Sequence, residues 1–248
     1  MFDLHTHTTF SDGKNTPEEM VLAAIGRGMS VLGFSDHSYT AFDHTYCIPC
    51  HRQDEYRNCI RSLREAYRGR IEILPGLEQD YYSDPPDGSY DYLIGSVHYL
   101  KLGEEYIPVD ESAQILLDAA ARHFGGDIYC LAEIYYRTVS DVVSRTNADI
   151  IGHFDLFKKF NRDGSLFDEA SPRYRKMVID AADKLLSFGV PFELNTGAIS
   201  RGVRDDPYPS PALIEYIRAR GGKLLPASDS HAAENLCFAF ERFSGAIK

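Results

Sequence analysis

Short apolar runs alternate with longer amphipathic stretches along most of the chain. Short runs favour buried strands, whereas apolar residues that recur every three to four positions favour helices. The sequence therefore predicts strands near residues 2–5, 31–34, 71–75, 92–96, 150–153, 191–194 and 223–227. It predicts helices near 17–27, 52–68, 110–124, 130–146, 172–188 and 210–220, and a loop that leads from the fourth strand to Pro108.

Alternation of strands and helices predicts a parallel sheet, because parallel neighbours need a long crossover connection. Seven strands of this kind indicate closure into a distorted (β/α)7 barrel, one strand short of the usual eight. We find no linker-like change of composition, low-complexity tract or internal repeat. Residues 1–248 are therefore expected to form a single domain.

Histidines and carboxylates stand at the ends of the predicted strands. His5 and His7 close the first strand, where positions i and i+2 project to the same side. Asp12 follows a polar turn seven residues after His5. The ends of later strands carry His37, Glu78, His98, His153, Asp229 and His231. In a parallel barrel these ends meet at one rim, which is where active sites lie.

This set of residues predicts a metal centre. Imidazole nitrogens and carboxylate oxygens suit divalent zinc, manganese or iron. A single buried histidine is commonplace, but six histidines and three carboxylates at one rim are not. Nine ligands exceed the needs of one ion, so we expect two or three ions with a bridging carboxylate. The remaining histidines, His44, His51 and His123, stand outside the pattern.

Composition excludes other classes of function. The chain has 37 acidic and 26 basic residues and a net charge of -11, which argues against an unassisted nucleic-acid or acidic-membrane surface. No leader pattern or membrane-length apolar run is present, so we expect a cytoplasmic protein. Five cysteines favour reduced thiols. Cys47-Ile-Pro-Cys50-His51 matches a haem-attachment pattern that requires export, so ordinary loop cysteines are the preferred interpretation.

The order of the ligands resembles the polymerase and histidinol phosphatase (PHP) family. The pattern is His-x-His with aspartate seven residues after the first histidine, then Asp-His, Glu, His, His and Asp-x-His. This resemblance runs the length of the chain. Shorter stretches at 76–78, 90–98, 109–112, 151–155 and 193–196 resemble the branch of the family that hydrolyses histidinol phosphate.

The resemblance implies a distorted (β/α)7 barrel that carries three divalent ions, zinc, manganese or iron. Carried over by position, the ligands of one ion would be His5, His7, Glu78 and Asp229. A second ion would be held by Glu78, His98 and His153. The third would be held by Asp12, His37 and His231, and Glu78 would bridge the first two ions.

Charge also favours a phosphate substrate. Three divalent ions, three carboxylates and one hydroxide leave about +2 to meet a phosphomonoester dianion. Arg201 is the candidate phosphate clamp, because a guanidinium matches phosphate oxygens in a bidentate fork; the alternative is a solvated loop arginine. The family also places a basic contact near Lys158 and Lys159, between which the sequence does not decide. Three more polar residues at the rim would orient ligands or bind the substrate's amine: Asp155, Glu193 and Asn195.

We therefore expect a phosphoric monoester hydrolase that converts L-histidinol phosphate to L-histidinol and phosphate in histidine biosynthesis. The alternatives are hydrolysis of a nucleotide or another small phosphomonoester on the same centre, and a non-catalytic metal-binding protein. Glu78 would position an activated water for direct attack on phosphorus, and Asp229 or His231 would protonate the leaving oxygen. The expected partner is a small phosphomonoester, with no nucleic acid or membrane.

Overall fold

The computed structural model describes residues 1–86 and 88–246. Its strands are β1 (Phe2–Asp3), β2 (Val31–Phe34), β3 (Glu72–Asp80), β4 (Tyr92–Ser96), β5 (Tyr99–Leu102), β6 (Glu105–Pro108), β7 (Ile150–Ile151), β8 (Phe192–Asn195) and β9 (Leu224–Ala227). Its helices are α1 (Pro17–Gly26), α2 (Gln53–Ala66), α3 (Ala113–Phe124), α4 (Ile128–Val139), α5 (Val142–Thr146), α6 (Pro172–Leu186), α7 (Gly197–Ser200), α8 (Pro211–Ala219) and α9 (Phe240–Phe243).

Seven strands form one parallel sheet in the order β1-β2-β3-β4-β7-β8-β9. The two ends of the sheet meet just beyond β1 and β9, where Thr6 and Ser230 form a parallel bridge. There the His7 amide donates to the Ser230 carbonyl at 2.9 Å. The predicted distorted (β/α)7 barrel is confirmed, and residues that follow the two outer strands complete its closure.

Apolar side chains fill the amino end of the barrel around Tyr92. The ring packs in a cluster with Ile94, Ile150, Leu4, Leu74 and Leu225. Two glycines make room for it, since a Cβ at Gly33 or Gly76 would lie 2.3 Å from a Tyr92 atom. This end of the barrel is thus a packed core, and the polar residues are left at the carboxyl end.

Amphipathic helices cover the outside of the barrel. Helix α1 begins with the predicted capping box, in which the Glu19 amide donates to Thr16 Oγ1 and the Thr16 amide donates to Glu19 Oε2. Helices α1 and α2 bury Met20, Val21 and Ile60 in one apolar cluster, and α3, α4, α6 and α8 build a larger one. Within the described residues, every helix is too short or too polar to span a bilayer.

Three elements differ from the sequence prediction. Strand β3 continues through Pro75 and Gly76 to Asp80, because the Pro75 carbonyl still accepts from the Asp91 amide and Gly76 fits against Tyr92. The helix predicted at 130–146 is divided into α4 and α5 by a turn at residues 140–141. The loop predicted before Pro108 is an antiparallel hairpin of β5 and β6.

Candidate metal centre

The nine predicted ligands lie together at the carboxyl end of the barrel. His5 and His7 follow β1, His37 follows β2, His98 follows β4 and His153 follows β7. Glu78 lies inside β3, Asp12 is in the loop after β1, and Asp229 and His231 follow β9. Most of these side chains are buried, but those of Asp12 and His231 are 33% and 25% exposed.

Glu78 is at the centre of the cluster. Its Oε1 atom lies 2.9 Å from His153 Nε2 and 3.4 Å from His98 Nε2. Its Oε2 atom lies near three other ring nitrogens: His37 Nδ1 at 2.9 Å, His5 Nε2 at 3.2 Å and His7 Nε2 at 3.6 Å. The two oxygens of one carboxylate thus face different groups of histidines, as a bridging ligand would.

Asp12 and Asp229 are the other two carboxylates of the cluster. Asp12 Oδ2 lies 3.2 Å from His231 Nε2, and Asp12 Oδ1 lies 3.7 Å from His37 Nε2 and 3.8 Å from His7 Nδ1. Asp229 Oδ1 lies 3.5 Å from His7 Nε2. His7 and His37 therefore turn their two ring nitrogens toward different carboxylates. Each of these histidines lies between two neighbouring groups of ligands.

These residues fit divalent ions. Two ligands about 2.1 Å from zinc at a tetrahedral angle lie roughly 3.4 Å apart. Three groups of donor atoms have the required proximity: His7, Asp12, His37 and His231; His5, His7 and Asp229; and His37, Glu78 and His98. Several buried atoms of the cluster also have no hydrogen-bond partner among the described residues: His5 Nε2, both ring nitrogens of His7, Glu78 Oε2 and His153 Nδ1. Bound cations would satisfy such atoms.

The carboxylates of the cluster remain ionised at neutral pH. Burial alone would raise the pKa of Glu78, but nearby His37, His5 and His98 hold it well below its usual value. Burial likewise opposes ionisation of Asp229, yet Arg201 and the histidines hold its pKa well below normal. These two carboxylates are therefore available as anionic ligands.

One histidine at the centre is held neutral. Burial, together with the positive neighbours His231 and His37, lowers the pKa of His7 to about 3. A metal ligand must present a free nitrogen lone pair, which the neutral form of His7 supplies.

Two further carboxylates orient histidines of the cluster by contacting the ring nitrogen that does not face Glu78. Glu193 Oε1 lies 2.6 Å from His5 Nδ1, and Asp80 Oδ2 lies 3.2 Å from His98 Nδ1. Because a carboxylate accepts the Nδ1 proton, each contact leaves Nε2 free and directs it toward Glu78. The sequence analysis did not select Asp80. The sequence does indicate it, because residues i and i+2 of a strand share one face and Asp80 follows Glu78 at that spacing.

Arg201 lies beside the last two ligands. Its Nη1 donates to the Asp229 carbonyl and its Nη2 donates to Asp229 Oδ2, both at 3.1 Å. His231 Nδ1 is 3.0 Å from the same carbonyl, which only accepts, so Nδ1 carries the proton and Nε2 faces Asp12. The Arg201 side chain is 34% exposed and lines the cavity over the metal centre. Its role as a phosphate clamp stays a prediction.

Of the two lysines predicted as substrate contacts, only one lines this cavity. Lys158 is 1% exposed, and its Nζ donates to Asp206 at 3.0 Å in an ion pair. Its neighbour Lys159 does line the cavity and pairs with Asp110 at 3.1 Å. The two lysines differ because successive side chains of the tight turn that follows Asp155 point in different directions.

Asn195 is also placed behind the metal centre. It is fully buried, its Nδ2 donates to Glu193 Oε2 at 3.1 Å, and its Oδ1 accepts from the Gly197 amide. Its Nδ2 also lies 3.4 Å from Asp229 Oδ2, and Asn195 is not among the residues that line the cavity. Its role in substrate binding stays a prediction. Asp155, also named at the rim, is buried and accepts from the Ser210 amide.

The cavity over the metal centre has a volume of about 430 Å³. One wall was not predicted from the sequence, because it is built by loop residues 38–49 and by residues around the β5–β6 hairpin. It consists of Asp43, Thr45, Tyr46, Tyr99, Pro108, Asp110 and Glu111.

Comparison with known proteins identifies relatives. A family model described as PHP domain matches residues 3–197. A Deinococcus radiodurans protein named "Probable histidinol-phosphatase" is 29% identical over 257 residues, which cover 99% of this chain and 91% of the relative.

Solved structures agree on the fold. A Listeria monocytogenes protein superposes with a TM-score of 0.82 at 19% identity, covering 98% of this chain and all of the other. A histidinol phosphate phosphatase from Lactococcus lactis, complexed with zinc, L-histidinol and phosphate, superposes with a TM-score of 0.72 at 21% identity. That match covers 99% of this chain and 93% of the other.

Proposed function

Because this chain belongs to the PHP domain family, we propose that it is a metal-dependent phosphomonoesterase that hydrolyses L-histidinol phosphate to L-histidinol and phosphate. The observation that carries this proposal is the cluster of nine histidines and carboxylates, seven of which line one cavity together with Arg201. The name of the Deinococcus relative and the ligands of the Lactococcus structure support the choice of substrate. The reaction belongs to histidine biosynthesis, and we propose a cytoplasmic enzyme that acts as one domain.

We propose that the cluster holds three divalent ions, zinc, manganese or iron. His5, His7, Glu78 and Asp229 would hold the first ion, and Glu78, His98 and His153 the second. Asp12, His37 and His231 would hold the third. Carboxylate oxygens and histidine nitrogens within each set lie 2.9–3.9 Å apart, which supports a metal ion in each. His37 Nδ1 also lies 2.9 Å from Glu78 Oε2, so the second and third sets adjoin. When bound, such ions lower the pKa of water and neutralise phosphate charge.

The chain's own groups then bind and orient the ester. Arg201 donates two N–H groups to Asp229, and its guanidinium lines the cavity, where its other donors would bind phosphate oxygens. Lys159 lines the same cavity and adds a second positive charge. Glu78 positions the attacking water, and Asp229 or His231, beside Arg201, supplies a proton to the leaving alcohol oxygen.

The test is turnover of a substrate panel by protein loaded with manganese or zinc. We expect phosphate release to be fastest with L-histidinol phosphate, slower with an uncharged alkyl phosphate and slower again with a nucleoside monophosphate. Preference for the nucleotide would replace the proposed substrate. Absence of turnover in protein shown by elemental analysis to carry its ions would overturn the proposal altogether.

A further inference from the structure

The two ends of the cavity differ in chemistry. At one end Arg201 contacts Asp229 and His231 beside the metal cluster. At the other end the 38–49 loop faces strand β5, and the wall there is made by Asp43, Tyr46 and Tyr99. With a phosphate beside Arg201, the alcohol part of the ester would lie in the rest of the same cavity, which Asp43, Tyr46 and Tyr99 also line.

The second end adjoins the metal ligands directly. The Tyr46 ring packs edge-on against His37 with centroids 4.9 Å apart, and it lies 6.1 Å from the Tyr99 ring at an interplanar angle of 29°. The Tyr46 hydroxyl is occupied by Thr40 Oγ1 at 3.0 Å. The Tyr46 hydroxyl is therefore already engaged within the protein, while both tyrosines line the cavity.

Asp43 is held in place by the hairpin. Its Oδ2 atom accepts a short hydrogen bond from the Tyr99 hydroxyl, and its Oδ1 accepts from the amide and hydroxyl of Thr45. The adjacent Phe42 ring stacks on Tyr106 with centroids 3.6 Å apart. These contacts fix the carboxylate at the cavity wall before any ligand binds, which lowers the entropic cost of binding.

Asp43 carries a negative charge that is paired with hydroxyl and amide donors, with His44 as a neighbouring basic group. Burial would raise its pKa, but hydrogen bonds from Thr45 and Tyr99 lower it, so the group is ionised at neutral pH. The cavity lysine, Lys159, pairs with Asp110, and Arg201 pairs with Asp229. Among the described residues no lysine or arginine forms an ion pair with Asp43.

We propose that Asp43, Tyr46 and Tyr99 bind a cationic group on the alcohol part of the substrate, and that Asp43 is the specificity-determining residue. This inference rests on the proposed function and deepens it, since it names the feature by which the enzyme selects among phosphomonoesters. A protonated amine or imidazolium gains a charge-assisted hydrogen bond from the carboxylate and a favourable contact with the tyrosine faces. An ester with an uncharged alcohol gains neither.

The experiment compares two esters of similar size, L-histidinol phosphate and 2-phenylethyl phosphate. The readout is the ratio of their kcat/KM values, which cancels any general loss of activity. Asp43→Asn should lower this ratio by about 10- to 100-fold, the range for one hydrogen bond to a charged group, mainly through a higher KM for L-histidinol phosphate.

Two control variants separate charge from structure. Tyr99→Phe removes the hydrogen bond that anchors Asp43 but keeps the charge and the ring, so the ratio should fall, though by less than in Asp43→Asn. Asp180→Asn removes one exposed charge on α6, far from the cavity, and should leave both kcat/KM values unchanged.

Product inhibition gives a second measurement with the same variants. Asp43→Asn should weaken inhibition by L-histidinol by about 10-fold or more, while inhibition by inorganic phosphate stays the same. If the asparagine variant does not fold, Asp43→Glu replaces it in both measurements. This variant keeps the charge and should retain part of the selectivity.

Three outcomes overturn the inference: equal losses on both esters in Asp43→Asn, a fall of the ratio in Tyr99→Phe as large as in Asp43→Asn, or unchanged inhibition by L-histidinol. Failure of the proposed function looks different, because the wild-type protein would then hydrolyse neither ester.

Discussion

The inner and outer parts of the metal cluster are built differently. In the inner part, Glu78 is 1% exposed and the histidines around it are buried, with Glu193 and Asp80 fixing His5 and His98 from behind. In the outer part, the Asp12 and His231 side chains are 33% and 25% exposed. Buried partners therefore preorganise the inner ligands, whereas the positions of the outer ligands depend on loops at the cavity mouth.

The largest expected effect is at the centre of the inner part. Glu78→Ala removes the carboxylate that faces both groups of inner histidines, so two ions should be lost together. Turnover should fall by at least about 10 000-fold. Elemental analysis and phosphate release would measure the two effects. Retention of both inner ions would show that Glu78 does not bridge them.

The matched change in the outer part should be milder. Asp12→Ala removes one partly exposed ligand, so it should release one ion and leave the inner two. We expect turnover to fall by about 1000-fold, because one ion contributes several kcal/mol of charge stabilisation. Loss of all ions from this variant would contradict the division into two parts.

A change of Arg201 tests how the groups beside the outer ligands contribute to substrate binding. Arg201→Ala should reduce kcat/KM for the phosphomonoester by about 10- to 1000-fold, the range for a charged contact to phosphate. Its ions should be retained, although Asp229 loses two hydrogen bonds. Unchanged kinetics would transfer the phosphate contact to Lys159, with the buried Lys158→Ala as a comparison that should act through stability.

The smallest effect is expected behind the inner ligands. Glu193→Gln keeps the shape of the side chain but weakens the 2.6 Å contact to His5 Nδ1, so metal affinity should fall by about 10- to 100-fold. Asp80→Asn should behave similarly through His98. Competition with a chelator would measure both. Wild-type affinity in both variants would mean that burial alone, rather than the two carboxylates, orients the inner histidines.

Local patterns were sufficient for much of the fold and for the choice of ligands. The alternation of apolar runs and amphipathic stretches predicted the seven strands, since strand and helix periods are properties of neighbouring residues. Placement of histidines and carboxylates at strand ends then predicted the cluster, because parallel strands bring those ends to one rim. Asp80 had the same local signal and was missed.

Other features required distant parts of the chain to meet. Lys158 and Lys159 are adjacent in sequence, yet one is buried against Asp206 and the other lines the cavity. No local pattern predicts which of the two side chains points toward the cavity, because that depends on the distant loop that carries Asp206. Strand β3 continues past Pro75 only because Gly76 fits against Tyr92.

The sequence by itself determined which histidines and carboxylates meet at one rim and on which kind of barrel they stand, because both follow from side-chain period and strand-end position. Only the tertiary structure decided which carboxylates contact which histidines, and which loop residues line the cavity together with Arg201. Asp43 and Tyr99 are 56 residues apart and meet by a single hydrogen bond between a loop and a hairpin. Contacts of that kind depend on long-range packing, and the short-range periodicity of the sequence does not predict them.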